Sequence, residues 1–268
     1  MVICAHAMMV DMRTFEKSGF AKVLASRGYG VFLFNFRGRD PNGPTDWSYE
    51  DLIQYDVPAV IDTVTEVSPG LPHVWLGHSL GGHVGLAAHR YEHLNAVHAL
   101  VLVSTNVWLP SLEPNRFRRL RKSLYMLFGQ TMVRLFGTVP VVKLGVGTVD
   151  EAPTYLKDLI NWWRDDRWSH GVHEPDYLSA IHGLNRPVLC VIGSDDHLEA
   201  HPDAVRAFLK AFQPKNSTVL IADDHWTGGK APTDHMRLIT SKHSAPGWHQ
   251  ICDWLDKWVI SQPKELKR

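Results

Sequence analysis

Little in this 268-residue chain points to a charged partner or a covalent framework. Lys+Arg and Asp+Glu both number 28, so no global charge draws it to nucleic acid or to an acidic surface. Cysteine is scarce: Cys4, Cys190 and Cys252 are an odd number, and the first two lie in apolar strand-like runs. That argues for buried thiols in a reducing compartment over a disulfide scaffold, and a cytoplasmic location is expected. No integral membrane segment is expected. Met1-Val2-Ile3-Cys4-Ala5 is apolar but too short for a span or a signal segment, and it reads as a core strand. The glycines between 77 and 82 lack the lysine of a phosphate loop, and no dinucleotide fingerprint is present. Asp195-Asp196-His197, His201 and Asp223-Asp224-His225 lack the fixed spacing of a structural zinc site. No metal or other cofactor is therefore expected.

What is present is enough apolar residue, 44% of the chain, for one large α/β domain with an insertion. The organising stretch is Trp75-Leu76-Gly77-His78-Ser79-Leu80-Gly81-Gly82. It follows a short apolar strand, His73 to Leu76, and opens a helix from Leu80 to Arg90 with small residues on its packing face. A Gly-x-Ser-x-Gly at such a junction puts the serine on a sharp turn where only glycine lets strand and helix backbones meet. Free N–H groups and the positive end of the helix dipole then lie beside the Ser79 hydroxyl, which suits a developing oxyanion.

This pattern resembles the α/β-hydrolase fold superfamily, and the likeness extends over most of the chain. It implies a mostly parallel sheet flanked by helices, with residues 1–104 and 187–268 as the hydrolase core. It also implies that the helical, basic and aromatic stretch 105–186 is a cap inserted over the serine. Proteins of this class carry two more strands ahead of the one that leads into the oxyanion loop. Either the sheet is shortened here, lacking those first two strands, or the chain as given lacks its natural start.

Along the chain, helix is expected from about Arg13 to Arg27, strand over Val31–Phe36, and helix from Ser48, as N-cap, to Val67 with a bend at Pro58. Strands follow at Ala96–Val103, Pro187–Gly193 and near Thr218–Ile221. Strands alternating with helices imply right-handed crossovers and a parallel sheet. The run Arg116-Phe117-Arg118-Arg119-Leu120-Arg121-Lys122 has two readings, a membrane- or anion-facing patch or a solvated face with arginine stems packed over apolar surface. The second is favoured because the run is short. Trp162, Trp163, Trp168 and the run Leu124 to Val133 are expected to face the serine across an apolar pocket.

A serine nucleophile needs an imidazole base and a carboxylate to orient it. The superfamily's chain order of serine, acid, histidine and its glycine-x-x-aspartate spacing fall on Asp196, in the turn Gly193-Ser194-Asp195-Asp196, with Asp195 the alternative. For the base, His225, His235, His243 and His249 all follow the last strand. The tail resembles a subfamily of uncharacterised bacterial α/β-hydrolases in which a Gly-His-Phe-Gly-Phe-Phe motif precedes a Trp-led terminal helix. That motif falls on Asp234-His235-Met236-Arg237-Leu238-Ile239, with Trp248 leading the helix, which implies His235 and leaves His225 and His243 as alternatives. Asp234 and Arg237 stand where the motif has glycine. The superfamily's His-Gly-x falls on His6-Ala7-Met8, so the oxyanion hole is expected from the N–H groups of Met8 and Leu80. Ala7 there is a departure, strained by about 1 kcal/mol if the turn needs positive φ. His6 reads as a structural hydrogen-bonder.

Trp47 to Asp62 is also similar to the matching helix of acid lipases, with their aspartate-x-proline-alanine. Together these features imply a serine hydrolase acting on a small-molecule acyl ester through an acyl-enzyme on Ser79. Hydrolysis of an amide, thioester or peptide, or a catalytically inactive binding protein on the same fold, are the alternatives.

Overall fold

Each apolar, β-branched run becomes a strand of one six-stranded parallel sheet, seen in a computed structural model that describes residues 1–40, 42–91, 94–171, 174 and 176–261. Residues 262–268 of the C-terminal core segment lie outside the described residues. The strands are β1 (Val2–Ala5), β2 (Val31–Leu33), β3 (His73–His78), β4 (Val97–Val103), β5 (Pro187–Gly193) and β6 (Asn216–Ala222). Their spatial order is β2-β1-β3-β4-β5-β6. The chain winds outward from β1 to β2, then returns across β1 to begin β3 and winds the other way. The crevice at the carboxyl ends of β1 and β3 is thus the switch point, where open parallel sheets bind ligands.

Strand period two builds a core on each face of the sheet. Val2, Cys4, Val74, Leu76, Val101 and Leu189 point to one side, beneath the first two helices and the last. Ile3, Ala5, Trp75, Leu100, Leu102 and Val188 point to the other, beneath the helices that flank the serine. Cys4, Cys190 and Cys252 are all free and buried in these cores.

The helices depart from expectation in local ways. Arg13 to Arg27 is two helices, α1 (Arg13–Ser18) and α2 (Phe20–Ser26), broken at Gly19, whose φ is 91°. The expected strand 31–36 stops at Leu33, because Phe36 N–H turns to donate to His6 Nε2 at 3.2 Å. Ser48 caps α3 (Tyr49–Asp51) in a reciprocal capping box with Asp51. Leu52–Asp56 then forms a π-helical turn before α4 (Val57–Val67). Pro58 explains the widening, since it has no N–H for the Gln54 carbonyl and its ring would strike that carbonyl in a regular helix. After α5 (Leu80–Ala87) and β4 come α6 (Arg116–Phe136), α7 (Pro153–Asp165) and α8 (Tyr177–Ile181), all within 105–186. The chain closes with α9 (Pro202–Phe212), α10 (Asp224–Thr227), α11 (Arg237–Thr240) and α12 (Ala245–Ser261).

Three histidines lie fully inside the core around the serine: His6, His78 and His83. Burial pushes each of them down to about 3 from the usual 6.5, with the Arg39 charge adding to the effect at His6. Unfolded, they take up a proton near pH 6.5. Folded, they resist until about pH 3. Stability is therefore complete above that upper value and is lost as the pH falls through the window, by about 2 kcal/mol per histidine at pH 5. Urea midpoints should accordingly be much lower at pH 5 than at pH 7.5. Equal midpoints would mean these imidazoles are not held neutral.

Candidate active site

Ser79 follows the last residue of β3 and precedes the first of α5, with φ 51° and ψ −112°. This left-handed backbone is paid for by its neighbours' lack of side chains. A Cβ on Gly77 would stand 2.3 Å from Gly82 N, and one on Gly81 would stand 2.2 Å from the Ala5 carbonyl oxygen. Gly81 N–H donates to the His6 carbonyl at 3.1 Å, tying α5 to the end of β1. Ser79 N–H donates to the Val103 carbonyl at 2.9 Å, tying the turn to β4. The hydroxyl remains half-exposed.

His235 Nε2 lies 2.9 Å from Ser79 Oγ, and His235 Nδ1 lies 2.7 Å from Asp196 Oδ2. Asp196 is buried, and its other oxygen accepts the Ala200 N–H at 3.0 Å. Burial alone would raise its pKa, but the His235 hydrogen bond and charge, with the N–H groups of Ala200 and Leu198, outweigh that and hold it below the usual carboxylate value. His225 and His249 are exposed on α10 and α12, and His243 lies in the turn before α12. Leu238 and Ile239, just after His235, are both fully enclosed.

Several residues hold this set without a signal that sequence alone could read. Asp195, weighed as the alternative acid, instead accepts the Thr233 N–H at 2.8 Å and the Thr233 hydroxyl at 3.1 Å. It clamps the loop two residues before the histidine. His78 Nε2 donates to the His235 carbonyl at 2.8 Å, and its low pKa keeps that ring neutral. Trp248 Nε1 donates to the Leu238 carbonyl at 2.7 Å, so the Trp-led helix anchors the same loop from behind. Asp196, Glu199 and His235 bring ligand-capable atoms within 4.8 Å of one another. The atoms of Asp196 and His235 are already engaged with Ala200, with each other and with Ser79.

Residues 1–163 match the family described as serine aminopeptidase, S33. The chain belongs to this α/β-hydrolase family. Human gastric triacylglycerol lipase is 29% identical over 129 residues, which cover 42% of this chain and 32% of the lipase. The Caenorhabditis elegans lipase lipl-1 is 33% identical over 89 residues, 29% of this chain and 22% of that protein. The chain thus spans a third or less of the length of these curated relatives. In fold, it is similar to the Paleococcus ferrophilus monoacylglycerol lipase, at 15% identity and a TM-score of 0.60 over 95% of this chain and 93% of that one. A Pyrococcus furiosus esterase gives a TM-score of 0.61 at 17% identity, over 96% of this chain and 81% of that one.

In this hydrolase the loop after β1 carries Met8, and Leu80 takes the first position of α5, where a helix has no carbonyl to offer its N–H. The two loops meet through the Gly81–His6 bond. Ala7 does not strain the turn, because the residue with positive φ is Met9, at 61°. His6 acts structurally: Nδ1–H donates to the Ala7 carbonyl at 2.7 Å and Nε2 accepts from Phe36. Met9 N–H donates to Glu151 Oε1, whose carboxylate also receives Arg39 in two bonds of 2.6 and 3.0 Å. Both side chains of that pair are 0% exposed. Burial pushes Glu151 up against the opposing pull of Arg39 and Met9 N–H. A residue of segment 105–186 therefore fixes the loop that carries Met8.

The expected aromatic wall is not where the sequence put it. Trp162 and Trp168 are buried against Tyr49 and His83 as core, and Trp163 Nε1 donates to Ser123 Oγ at 3.1 Å. From Leu124 to Val133, only Met132 and Val133 pack inward with Met9, while Leu124, Leu127 and Phe128 face solvent. The cause is Lys122, which takes the inward position of α6 to pair with Glu113 at 2.8 Å and so turns the apolar stripe outward. An open cleft of about 450 Å³ beside His235 is lined instead by Asp195, Glu199, Asp234, Met236 and Arg237.

Asp196→Asn should slow labelling of Ser79 by a fluorophosphonate by roughly 10²- to 10⁴-fold, whereas Asp195→Asn should cost far less, since an amide still accepts from Thr233. The reverse ranking would exchange their assignments. Glu151→Ala leaves Arg39 buried without a counter-charge and should lower stability by about 3–5 kcal/mol, read as a drop in melting temperature. An unchanged melting temperature would mean the pair does not couple the insertion to the core.

Proposed function

We propose that this chain is a metal-free serine hydrolase that cleaves a small-molecule carboxylic ester through an acyl-enzyme on Ser79. The observation that carries the reading is the unbroken hydrogen-bond chain from Ser79 Oγ to His235 at 2.9 Å and from His235 to Asp196 at 2.7 Å. His235 Nε2 takes the hydroxyl proton as Ser79 Oγ attacks the acyl carbon, and Asp196 stabilises the imidazolium that forms. The carbonyl electron pair moves to oxygen, where the N–H groups of Met8 and Leu80 receive the negative charge. Collapse expels the alcohol, which takes its proton from His235. Water then repeats the cycle on the acyl-enzyme and releases the acid. The segment 105–186 serves as the cap of this site, with Glu151 setting the oxyanion loop.

The lipase and esterase names of the relatives favour an ester. A second reading, an amide at a peptide N-terminus, is favoured by Glu199 in the cleft beside His235, which suits an ammonium group, Asp234 there being held by Arg237. The family's description points the same way.

Ser79→Ala should abolish turnover of p-nitrophenyl butyrate and covalent fluorophosphonate labelling while keeping the parent's melting temperature. Parent-level turnover in that variant would overturn the assignment. Faster cleavage of aminoacyl p-nitroanilides than of p-nitrophenyl esters would move the substrate class to amides. Labelling without turnover of either would point to a binding protein.

A further inference from the structure

Helix α6 is built inside out. Phe117, Leu120, Leu124, Leu127, Phe128 and Leu135 are each between 48% and 68% exposed. At ~100° per residue they fall within one stripe about 100° wide, the width of an apolar face that ordinarily packs on a core. Among the described residues no partner covers it. From the other side of the helix Lys122 turns to Glu113, and Met132 and Val133 share a small apolar cluster with Val139, Val141, Leu156 and Met9.

Charge says what such a face fits. Residues 114–149 contain seven Lys and Arg and no Asp or Glu, in a chain whose totals balance at 28 each. Arg118 and Lys122 turn inward to Glu113. Arg116, Arg121 and Arg134 are exposed, and on the helical wheel Arg116 and Arg134 border one edge of the stripe while Arg121 borders the other. Arg116 lies over the Phe117 ring at 5.0 Å, the covering by arginine that the sequence reading favoured, but Leu120, Leu124, Leu127 and Leu135 stay exposed between the rim arginines. An apolar strip rimmed by cations matches the boundary between acyl chains and anionic headgroups. Among the described residues no helix is long and apolar enough to cross a membrane, so a helix of this kind can lie on a bilayer but not span it.

We propose that α6 docks on the surface of an anionic phospholipid bilayer, with Phe117, Leu120, Leu124 and Phe128 in the acyl boundary and the rim arginines on headgroup phosphates. Met132 and Val133 of α6 share one small apolar cluster with Met9, the residue after Met8, so docking holds the loop that carries Met8 near the lipid. The proposal concerns binding and does not depend on which bond Ser79 cleaves.

The test is sedimentation of the Ser79→Ala chain with large unilamellar vesicles of phosphatidylcholine alone or with about a third phosphatidylglycerol, at low and high salt. The Ser79→Ala background prevents lipid breakdown, so a failure here is separate from a failure of the hydrolase reading. We expect binding to the anionic vesicles at low salt. We expect at least a tenfold weaker affinity in L124E/F128E, and loss of the anionic preference in R116S/R121S/R134S, each with the parent's circular dichroism melt. Parent chain left in the supernatant with both vesicle types would overturn the proposal. So would concentration-dependent dimers by light scattering that L124E/F128E abolishes without any vesicle binding in the parent, because the stripe would then be a face between two copies.

Discussion

The backbone of Ser79 is held at φ 51° and ψ −112° because three chain segments meet there with nothing between them. The end of β3, the first turn of α5 and the end of β1 approach within distances that no Cβ at Gly77 or Gly81 would permit. From that approach follow the exposure of the hydroxyl, the aim of the α5 N–H groups and the placement of the loop with Met8. Strain of a few kcal/mol at one residue is tolerated because β3 and β1 lie in the middle of the sheet, paired on both sides. Loosening the contact at Gly81 would free the serine from its strain and separate it from the loop that carries Met8 in the same step.

Segment 105–186 answers to the same constraint. Arg39, from the loop after β2, and Glu151, from the segment before α7, meet in full burial and share their carboxylate with Met9 N–H. Two charges taken from water stabilise little in net terms, but either one left alone is costly, so such a pair specifies an arrangement more than it strengthens one. Here the arrangement specified is the position of segment 105–186 relative to the loop beside Ser79.

What sequence could convey tracks how local each feature is. The elbow, the parallel order and the capping box at Ser48 depend on neighbours within a few residues, and their patterns are plain. Asp196 was reachable because the fold family fixes its distance from a strand end. His235 stood among four histidines with nothing intrinsic to separate them, and only the likeness of the tail favoured it; the side chains that hold its loop, His78, Asp195 and Trp248, come from the end of β3, the turn after β5 and α12. The roles of Asp195 and of Glu151 have no pattern, since their partners lie 38 and 142 residues away. The outward turn of α6 was hidden for another reason. Periodicity reports that a helix has an apolar stripe, but not which face a single buried lysine will claim.

The distance between Ser79 and His235, 156 residues, sets when the site can exist at all. At typical synthesis rates of about 5–20 residues per second, His235 emerges from the ribosome roughly 8–30 s after Ser79. Until β5 follows, late in that interval, β4 lacks its outer neighbour and its edge is bare. Parallel strands reward their pairing only after long loops have closed, so this half-made sheet is the slow and adhesive stage of folding. The nascent chain thus carries Ser79 without its neighbour His235 through the period of greatest exposure, and the two meet only when the tail containing Trp248 has folded back over the sheet.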